Sequence, residues 1–444
     1  MSDSVMVIGG GVCGIQAALD LGDKGYEVYL VENKPSIGGR MALLDKVFPT
    51  NDCSICILAP KMITCFNHPN IRVLSYSEVE KLEGKAPNFR VKVRKRSRFV
   101  EEDKCTGCGA CAEECVLAGR ISNEWEEGLG KRGAAYIPFA QAVPRVALID
   151  PQNCLRLTKG KCKSKCIDAC MRGAINFDLK DEILTLEVGA IVVATGLTIF
   201  DPTPVTEYGY GKFENVIHSM EYERLINAAG PTGGHLKRRS DGCEPKRIAY
   251  IQCVGARDSR SGNPYCCSVC CMYATKDAML AYMHHNDIEN FIFYTDLRAF
   301  GKGFDEYINR GKEEYKIKYI RARPGEITEV PETKNLLIWY DDTMSGEIKS
   351  LEVELVVLAT AFVPPAETNT LAQTLGIETD EYGFLKARDE LIAPMDTKVP
   401  GIYIAGACRR PMDVTDAVCE GGAAADRASE FIEEKSRKVP AKAG

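Results

Sequence analysis

The sequence predicts an α/β fold of two lobes built on parallel sheets, the first interrupted by a small cysteine-rich domain. Three observations lead there. Near the N-terminus a short apolar run opens onto Gly9-Gly10-Gly11-Val12-Cys13-Gly14, then a helical stretch and a second apolar run. Between residues 101 and 178, eight cysteines fall into two tight groups. From residue 246 a second strand-then-helix pattern begins, but it has no glycine turn.

Length and composition set the bounds. A chain of 444 residues is expected to form more than one domain. At 45% hydrophobic and 27% charged it reads as an ordinary globular protein. A net charge of −6 gives no reason to expect nucleic-acid binding. No run of 18 apolar residues occurs, so no membrane span is expected. The first residues lack a charged and then apolar leader, so a cytoplasmic location is expected. Twenty cysteines stand beside five histidines. Clustered thiols in a chain without an export signal point to metal rather than disulfides. The shortage of imidazole favours all-thiolate sites, either iron–sulfur or four-thiolate zinc.

Residues 4–8 read as a strand, 15–25 as a helix and 26–31 as the next strand, ending at Glu32. Gly9, Gly11 and Gly14 thus form a G-x-G-x-x-G turn in its strand–turn–helix setting. Such glycines let the backbone approach a pyrophosphate, and the helix N-terminus supplies N–H donors. Glu32, eighteen residues past Gly14, is placed to accept from ribose hydroxyls. Three later segments resemble the two-dinucleotide-binding-domain flavoproteins, the thioredoxin-reductase-like class, and imply FAD rather than NAD. One is Glu32-Asn33-Lys34 leading to Gly39-Arg40. A second is the strand ending in Ala194-Thr195-Gly196. The third, residues 400–406, resembles the late strand whose end meets the flavin ribityl chain. That class has Gly-Asp there, whereas this chain has Gly406-Ala407, so Asp413 or Asp416 is the expected substitute. The small-residue run 421–425 is expected to pack close to the flavin ring.

The insert carries Cys105-x2-Cys108-x2-Cys111-x3-Cys115, the bacterial ferredoxin spacing, with Val116 where proline is usual. The second run, Cys154-x7-Cys162-x3-Cys166-x3-Cys170, is more widely spaced. In two-cluster ferredoxins the fourth cysteine of each run ligates the other cluster. The expected ligand sets are therefore Cys105, Cys108, Cys111 with Cys170, and Cys154, Cys162, Cys166 with Cys115. A zinc ribbon is the rival reading, but it needs only four thiolates.

In the second lobe the strand at 246–252 runs into Cys253-Val254-Gly255, and then Cys266-Cys267-Ser268-Val269-Cys270-Cys271 precedes the helix. Without a glycine turn this lobe is not expected to bind NAD(P). Electrons would reach the flavin through a metal cluster instead. The segments at 252–258 (QCVGARD), 263–266 (NPYC) and 269–274 (VCCMYA) resemble the A-subunit family of heterodisulfide reductase. So do residues 35–61 and 130–144. The resemblance implies that Cys253, Cys266, Cys270 and Cys271 hold a third [4Fe–4S] cluster, leaving Cys267 over. It also implies that Lys276 lies near the flavin, where its charge would favour the reduced anion. Members of that family carry further domains at both ends, so this chain reads as a short form.

The expected division is 1–100 for the first part of the FAD lobe, 101–178 for the ferredoxin-like insert and 179–242 for the second part. The cluster-bearing second lobe follows at 243–362, and 363–444 completes the FAD lobe. Cys53, Cys56 and Cys65 read as buried thiols, a fourth cluster site or a redox dithiol. Cys13, Cys243, Cys408 and Cys419 read as small core residues. The resemblance implies an electron-transfer component of an anaerobic, heterodisulfide-reductase-like complex, with flavin-based electron bifurcation as an extension by analogy. Expected partners are the other subunits and a ferredoxin or similar redox protein, with a homodimer inside the larger assembly. The alternatives are a stand-alone NAD(P)-dependent disulfide reductase and a relay component of a quinone-linked complex.

Overall fold

The computed structural model describes residues 3–437, which form two compact units. The first holds residues up to 42, 56–197 and those from 364 onward; the second holds 43–55 and 198–363.

The first unit is built on a five-stranded parallel sheet. Its order is Ile402–Ile404, Ala190–Val193, Val5–Ile8, Val28–Glu32, Ile71–Ser75. Val5–Ile8 and Ala190–Val193 are buried throughout, as expected of strands covered on both faces. The register sets Ile8 beside Val193 and Val31, so the turns leaving these strands emerge at one sheet edge. Helix Val12–Asp23 packs against helix Val414–Arg437. The approach is close because a Cβ on Gly421 would fall 2.5 Å from the Cys13 carbonyl oxygen. The small-residue run at 421–425 therefore packs, through Gly421, against a helix backbone.

An antiparallel sheet of Glu182–Val188, Asn88–Lys95 and Ser77–Lys85 lies in the same unit. The insert leaves one of these paired strands and returns on the next. Its ends therefore meet, and Val100 bridges Ile175 across its base. Its core is thin: Val100, Ala134, Ala135, Val146, Ala147, Ile149 and Ala174 pack with Cys111 and Cys154. Small modules with so few apolar side chains rely on staples such as metal.

The second unit has its own parallel sheet, in the order Val216–His218, Leu355–Thr360, Arg247–Val254, Glu289–Tyr294, Lys318–Arg321. A three-stranded meander, Pro324–Glu329, Leu336–Asp342 and Glu347–Val353, shares its core. The two units cut the chain differently from the expected division. Residues 43–55 and 198–242 belong to the second unit, because Val216–His218 pairs with Leu355–Thr360 and buries Val216 and Ile217. No helix among the described residues is long and apolar enough to cross a membrane.

Candidate functional sites

The glycine turn has the shape its sequence implies. Gly9 sits at φ +109°, and a Cβ there would lie 2.3 Å from the Ala194 carbonyl oxygen. A Cβ on Gly14 would lie 1.8 Å from the Gly9 oxygen. Gly11 caps helix Val12–Asp23, and a Cβ on Gly39 would meet the Gly11 Cα at 2.9 Å. Three loops thus converge on one cradle: 9–14, 38–40 and 194–196. Thr195 Oγ1 is buried there and has no hydrogen-bond partner among the described residues. An orphaned polar atom beside a glycine cradle fits a bound polar group.

Glu32 is buried and already engaged. Its carboxylate accepts the Gly10 N–H at 2.6 Å and the Lys34 N–H at 2.7 Å. Burial raises its pKa, while those two amides oppose the rise. Each oxygen keeps a second lone pair for a ribose hydroxyl. Lys34 enters through its backbone N–H, and Arg96 donates to the Asn33 carbonyl oxygen. Arg40 is half-buried and donates from Nε to the Leu197 carbonyl oxygen at 2.9 Å.

Gly406, at φ +76°, opens a short turn that includes Ala407. The acid at this turn is one that sequence reasoning missed. Glu420 Oε2 accepts the Gly406 N–H at 2.9 Å, and Glu420 Oε1 accepts from Arg409 at 2.6 Å. Asp413 instead uses Oδ1 to accept the Asp416 N–H at 2.8 Å at the start of helix Val414–Arg437. Burial raises its pKa. No local sequence signal marks Glu420 for this contact, which depends on the helix folding back to the Gly406 turn.

In the insert the thiols assemble across the two cysteine runs. Burial pushes the Cys111 thiol up to about 12, and Cys105, Cys170 and Cys108, followed by Cys166, add to the rise. Cys170 of the second run is thus grouped with the first three cysteines. Burial likewise pushes Cys166 up to about 11, with Cys115, Cys154 and Cys162 the next contributors. Cys115, Cys154, Cys162 and Cys166 line a cavity of about 490 Å³. Backbone amides point at the sulfurs: Gly107 and Ala147 at Cys105 (3.4 and 3.5 Å), Ser164 at Cys162 (3.3 Å) and Ala174 at Cys170 (3.3 Å). Four crowded thiols cannot all ionise unless a multivalent cationic group joins them. Among the described residues, no three His, Cys, Asp or Glu side chains converge tightly enough for one ion.

The second unit gathers another thiol group. Cys253 ends strand Arg247–Val254 at φ +60°, and Cys270 and Cys271 open helix Cys270–His284. Cys253, Cys267 and Cys271 all lie within hydrogen-bond reach of the Cys270 thiol. That contact holds Cys253 down at about 7 against its burial, and the Arg257 guanidinium helps. The Ser268 and Arg298 N–H groups donate to Cys266 (3.4 Å) and Cys271 (3.3 Å). The left-over Cys267 is fully buried within the group. The turn after this strand holds no phosphate cradle. Gly255 has a positive φ of +74°, yet a Cβ there would strike the Phe200 ring at 2.2 Å. A packed aromatic ring fills the space beside this glycine.

Lys276 is not a surface lysine. It is 1% exposed and pairs with Glu223 and, at 3.0 Å, with Asp277. It also donates to the Lys46 carbonyl oxygen at 3.3 Å. Burial disfavours its charge, but Asp277 and Glu223 outweigh that and hold its pKa above the usual lysine range. Nearby, Asp45 is raised to about 6 by burial and then by Glu223. The ammonium is therefore balanced locally by carboxylates and offers no net positive charge. This corrects the simple charge-attraction reading.

The remaining cysteines divide. Cys53 and Cys56 are joined as a disulfide. Cys65 is fully buried in helix Ser54–Asn67, and burial pushes it up to about 12. Cys13 and Cys408 are buried, but Cys243 and Cys419 are exposed rather than core residues.

The family profile described as pyridine nucleotide-disulphide oxidoreductase matches residues 3–248. Among solved structures, the Lactococcus lactis thioredoxin reductase aligns with a TM-score of 0.53 at 16% identity, covering 98% of this chain and all of that one. The T. acidophilum thioredoxin reductase gives 0.53 at 15% identity, covering 97% and 98%. At that identity the likeness speaks to the fold alone. The second iron-sulfur A-subunit of the CoB--CoM heterodisulfide reductase of Methanopyrus kandleri is 52% identical over 97% of this chain. The Methanocaldococcus jannaschii iron-sulfur A-subunit of the same enzyme is 50% identical over 96%. The A-subunit of the H(2):CoB-CoM heterodisulfide,ferredoxin reductase of Methanothermobacter marburgensis is 47% identical over 97%. The chain spans 64% of the length of each of these relatives. The chain belongs to the pyridine nucleotide-disulphide oxidoreductase family, and along nearly its whole length it is a homologue of the heterodisulfide reductase A-subunits.

Proposed function

We propose that this chain is a flavin- and iron–sulfur-containing electron-transfer component of a heterodisulfide-reductase-like complex. The observation that carries the reading is the exchange of cysteines between the two runs of the insert, with Cys170 beside Cys111 and Cys115 beside Cys166. On this reading Cys105, Cys108, Cys111 and Cys170 hold one [4Fe–4S] cluster, and Cys154, Cys162, Cys166 and Cys115 hold a second. Cys253, Cys266, Cys270 and Cys271 hold a third. Gly9, Gly11, Gly14, Glu32, Gly39, Arg40, Thr195 and Gly406 line the FAD cradle. When bound, these groups would supply one-electron carriers and a two-electron centre, and the protein supplies position, burial and charge. Amide N–H groups aimed at the sulfurs favour reduction by stabilising added negative charge. Glu32 fixes the glycine turn and selects a ribose. Phe200 over Gly255 closes the route to a second dinucleotide, so electrons enter by another path than NAD(P)H. A ferredoxin or similar carrier, sister subunits and a homodimeric core are part of the proposal. Bifurcation at the flavin extends it.

The test exchanges ligands one at a time. Cys170→Ala should lower iron by about four per chain and remove the cluster signal of the first run, since each cubane takes four thiolates. Cys115→Ala should remove the second run's signal. Loss of the opposite signal in each variant would overturn the crossed ligation. The Cys53–Cys56 disulfide is the one observation that favours a disulfide reductase. Stoichiometric reduction of the isolated protein by NADH would move that reading to the front.

A further inference from the structure

The second cysteine run carries a charge pattern that cluster ligation does not need. Residues 154–172 hold Arg156, Lys159, Lys161, Lys163, Lys165 and Arg172 against the single carboxylate Asp168. This local excess of five positive charges sits in a chain whose net charge is −6. All six cations are exposed, and none is in an ion pair among the described residues. Elsewhere in the insert Lys104 pairs with Glu101, and Arg132 pairs with Glu124 and Asp150, while Arg120, Lys131 and Arg145 are scattered singly along the chain. Arg156, Lys161, Lys163 and Lys165 line the mouth of the 490 Å³ cavity that Cys162 and Cys166 also line, with Glu113 and Glu114 on its other lip. Amid the cations stand two apolar contacts, Met171 at 99% exposure and Ile167 at 37%. Unpaired like charges in one patch repel one another and add little stability, although Arg156 also donates to Ser164 and lies over the Phe177 ring. A basic rim around exposed apolar residues is the composition of a docking face.

We propose that this face docks an acidic one-electron carrier protein, and that the electron crosses at the Cys115/Cys154/Cys162/Cys166 cluster. The inference rests on the ligation proposed above. In the step, the reduced carrier gives up one electron and the receiving cluster gains it; no bond or proton moves. The lysines orient the carrier so that its own redox centre faces the cavity mouth. Such steering raises association rates about 10- to 1,000-fold and fades as salt screens it.

The test uses the iron-loaded protein with a two-cluster ferredoxin of negative net charge. Zero-length amine-to-carboxylate cross-linking, mapped by mass spectrometry, should place the links on Lys159, Lys161, Lys163 and Lys165. The Kd should weaken about tenfold or more between 50 and 300 mM salt, as expected when several contacts are ionic. The double variant Lys159→Glu and Arg172→Glu avoids the cysteine-flanking lysines. It should weaken binding by a similar factor with iron content and the cluster signals unchanged. A salt-independent Kd, or links confined to other lysines, would overturn the docking face while leaving the cluster assignments intact. Rapid mixing of the reduced carrier with the double variant should show cluster reduction slowed by the same factor, and an unchanged rate would overturn the crossing point.

Discussion

Removing the Lys276 ammonium gives the sharpest energetic prediction. Its side chain is 2% exposed, and the carboxylates it pairs with, Glu223 and Asp277, are 4% and 1% exposed. Lys276→Met keeps the volume but strands two buried carboxylates. Breaking a buried pair by deleting one partner costs about 3–5 kcal/mol. For a unit of this size each kcal/mol lowers Tm by about 2–4 °C, so the expected fall is about 6–20 °C. Thermal unfolding of the anaerobic holoprotein, followed by flavin release, measures it. The pH dependence has a definite sign. Burial and Glu223 already raise Asp277 well above the ordinary carboxylate range, with Lys276 opposing. Without Lys276 the folded-state pKa of Asp277 rises further. Stability is then fully present below the unfolded-state value and lost as pH rises through to the folded one, so the deficit should shrink from pH 8 to pH 5. The triple change Lys276→Met, Glu223→Gln, Asp277→Asn should recover at least half the loss. A shift under about 2 °C, or a triple variant no more stable than the single one, would refute the reasoning.

Three further outcomes are expected. Gly14→Ala forces a Cβ against the Gly9 oxygen, and flavin per chain after gel filtration should fall by about tenfold or more, whereas full retention would mean the cradle tolerates a side chain there. Glu32→Gln removes the charge from both acceptors and turns an NH2 donor toward one of the two amides, Gly10 or Lys34; weaker flavin retention by about 1–3 kcal/mol is expected by titration of the apoprotein. Asp45, raised to about 6 by burial and Glu223, costs stability as it ionises between its ordinary range and that value. Asp45→Asn should therefore gain on the wild type as pH rises from 5 to 7, and a gain independent of pH would exclude this cause.

Local chemistry was legible in the sequence; partners distant in the chain were not. The Gly9–Gly14 turn was readable because every constraint on it is local: strand, turn, helix and a clash that only glycine avoids. The ferredoxin spacing suggested the crossed cysteine grouping, and Cys170 stands among the neighbours that raise the Cys111 thiol. Glu420 was not, because its role depends on a helix folding back to the Gly406 N–H. The surroundings of Lys276 were not legible, since Glu223 lies 53 residues away and reaches it only through tertiary packing. The strand Val216–His218 is three residues long and carries no periodic signal, so its membership of the second unit followed only from its pairing with Leu355–Thr360.

The central claim is the number and kind of cofactors, and elemental analysis reads it most directly. Iron, acid-labile sulfide, zinc and flavin should be measured per chain on anaerobically purified protein. About twelve iron, matching sulfide and one FAD are expected, because three cubane clusters hold four iron each. About sixteen iron would bring Cys53, Cys56 and Cys65 back as ligands of a fourth cluster. Zinc with little sulfide would contradict the account and leave a flavoprotein with structural metal sites.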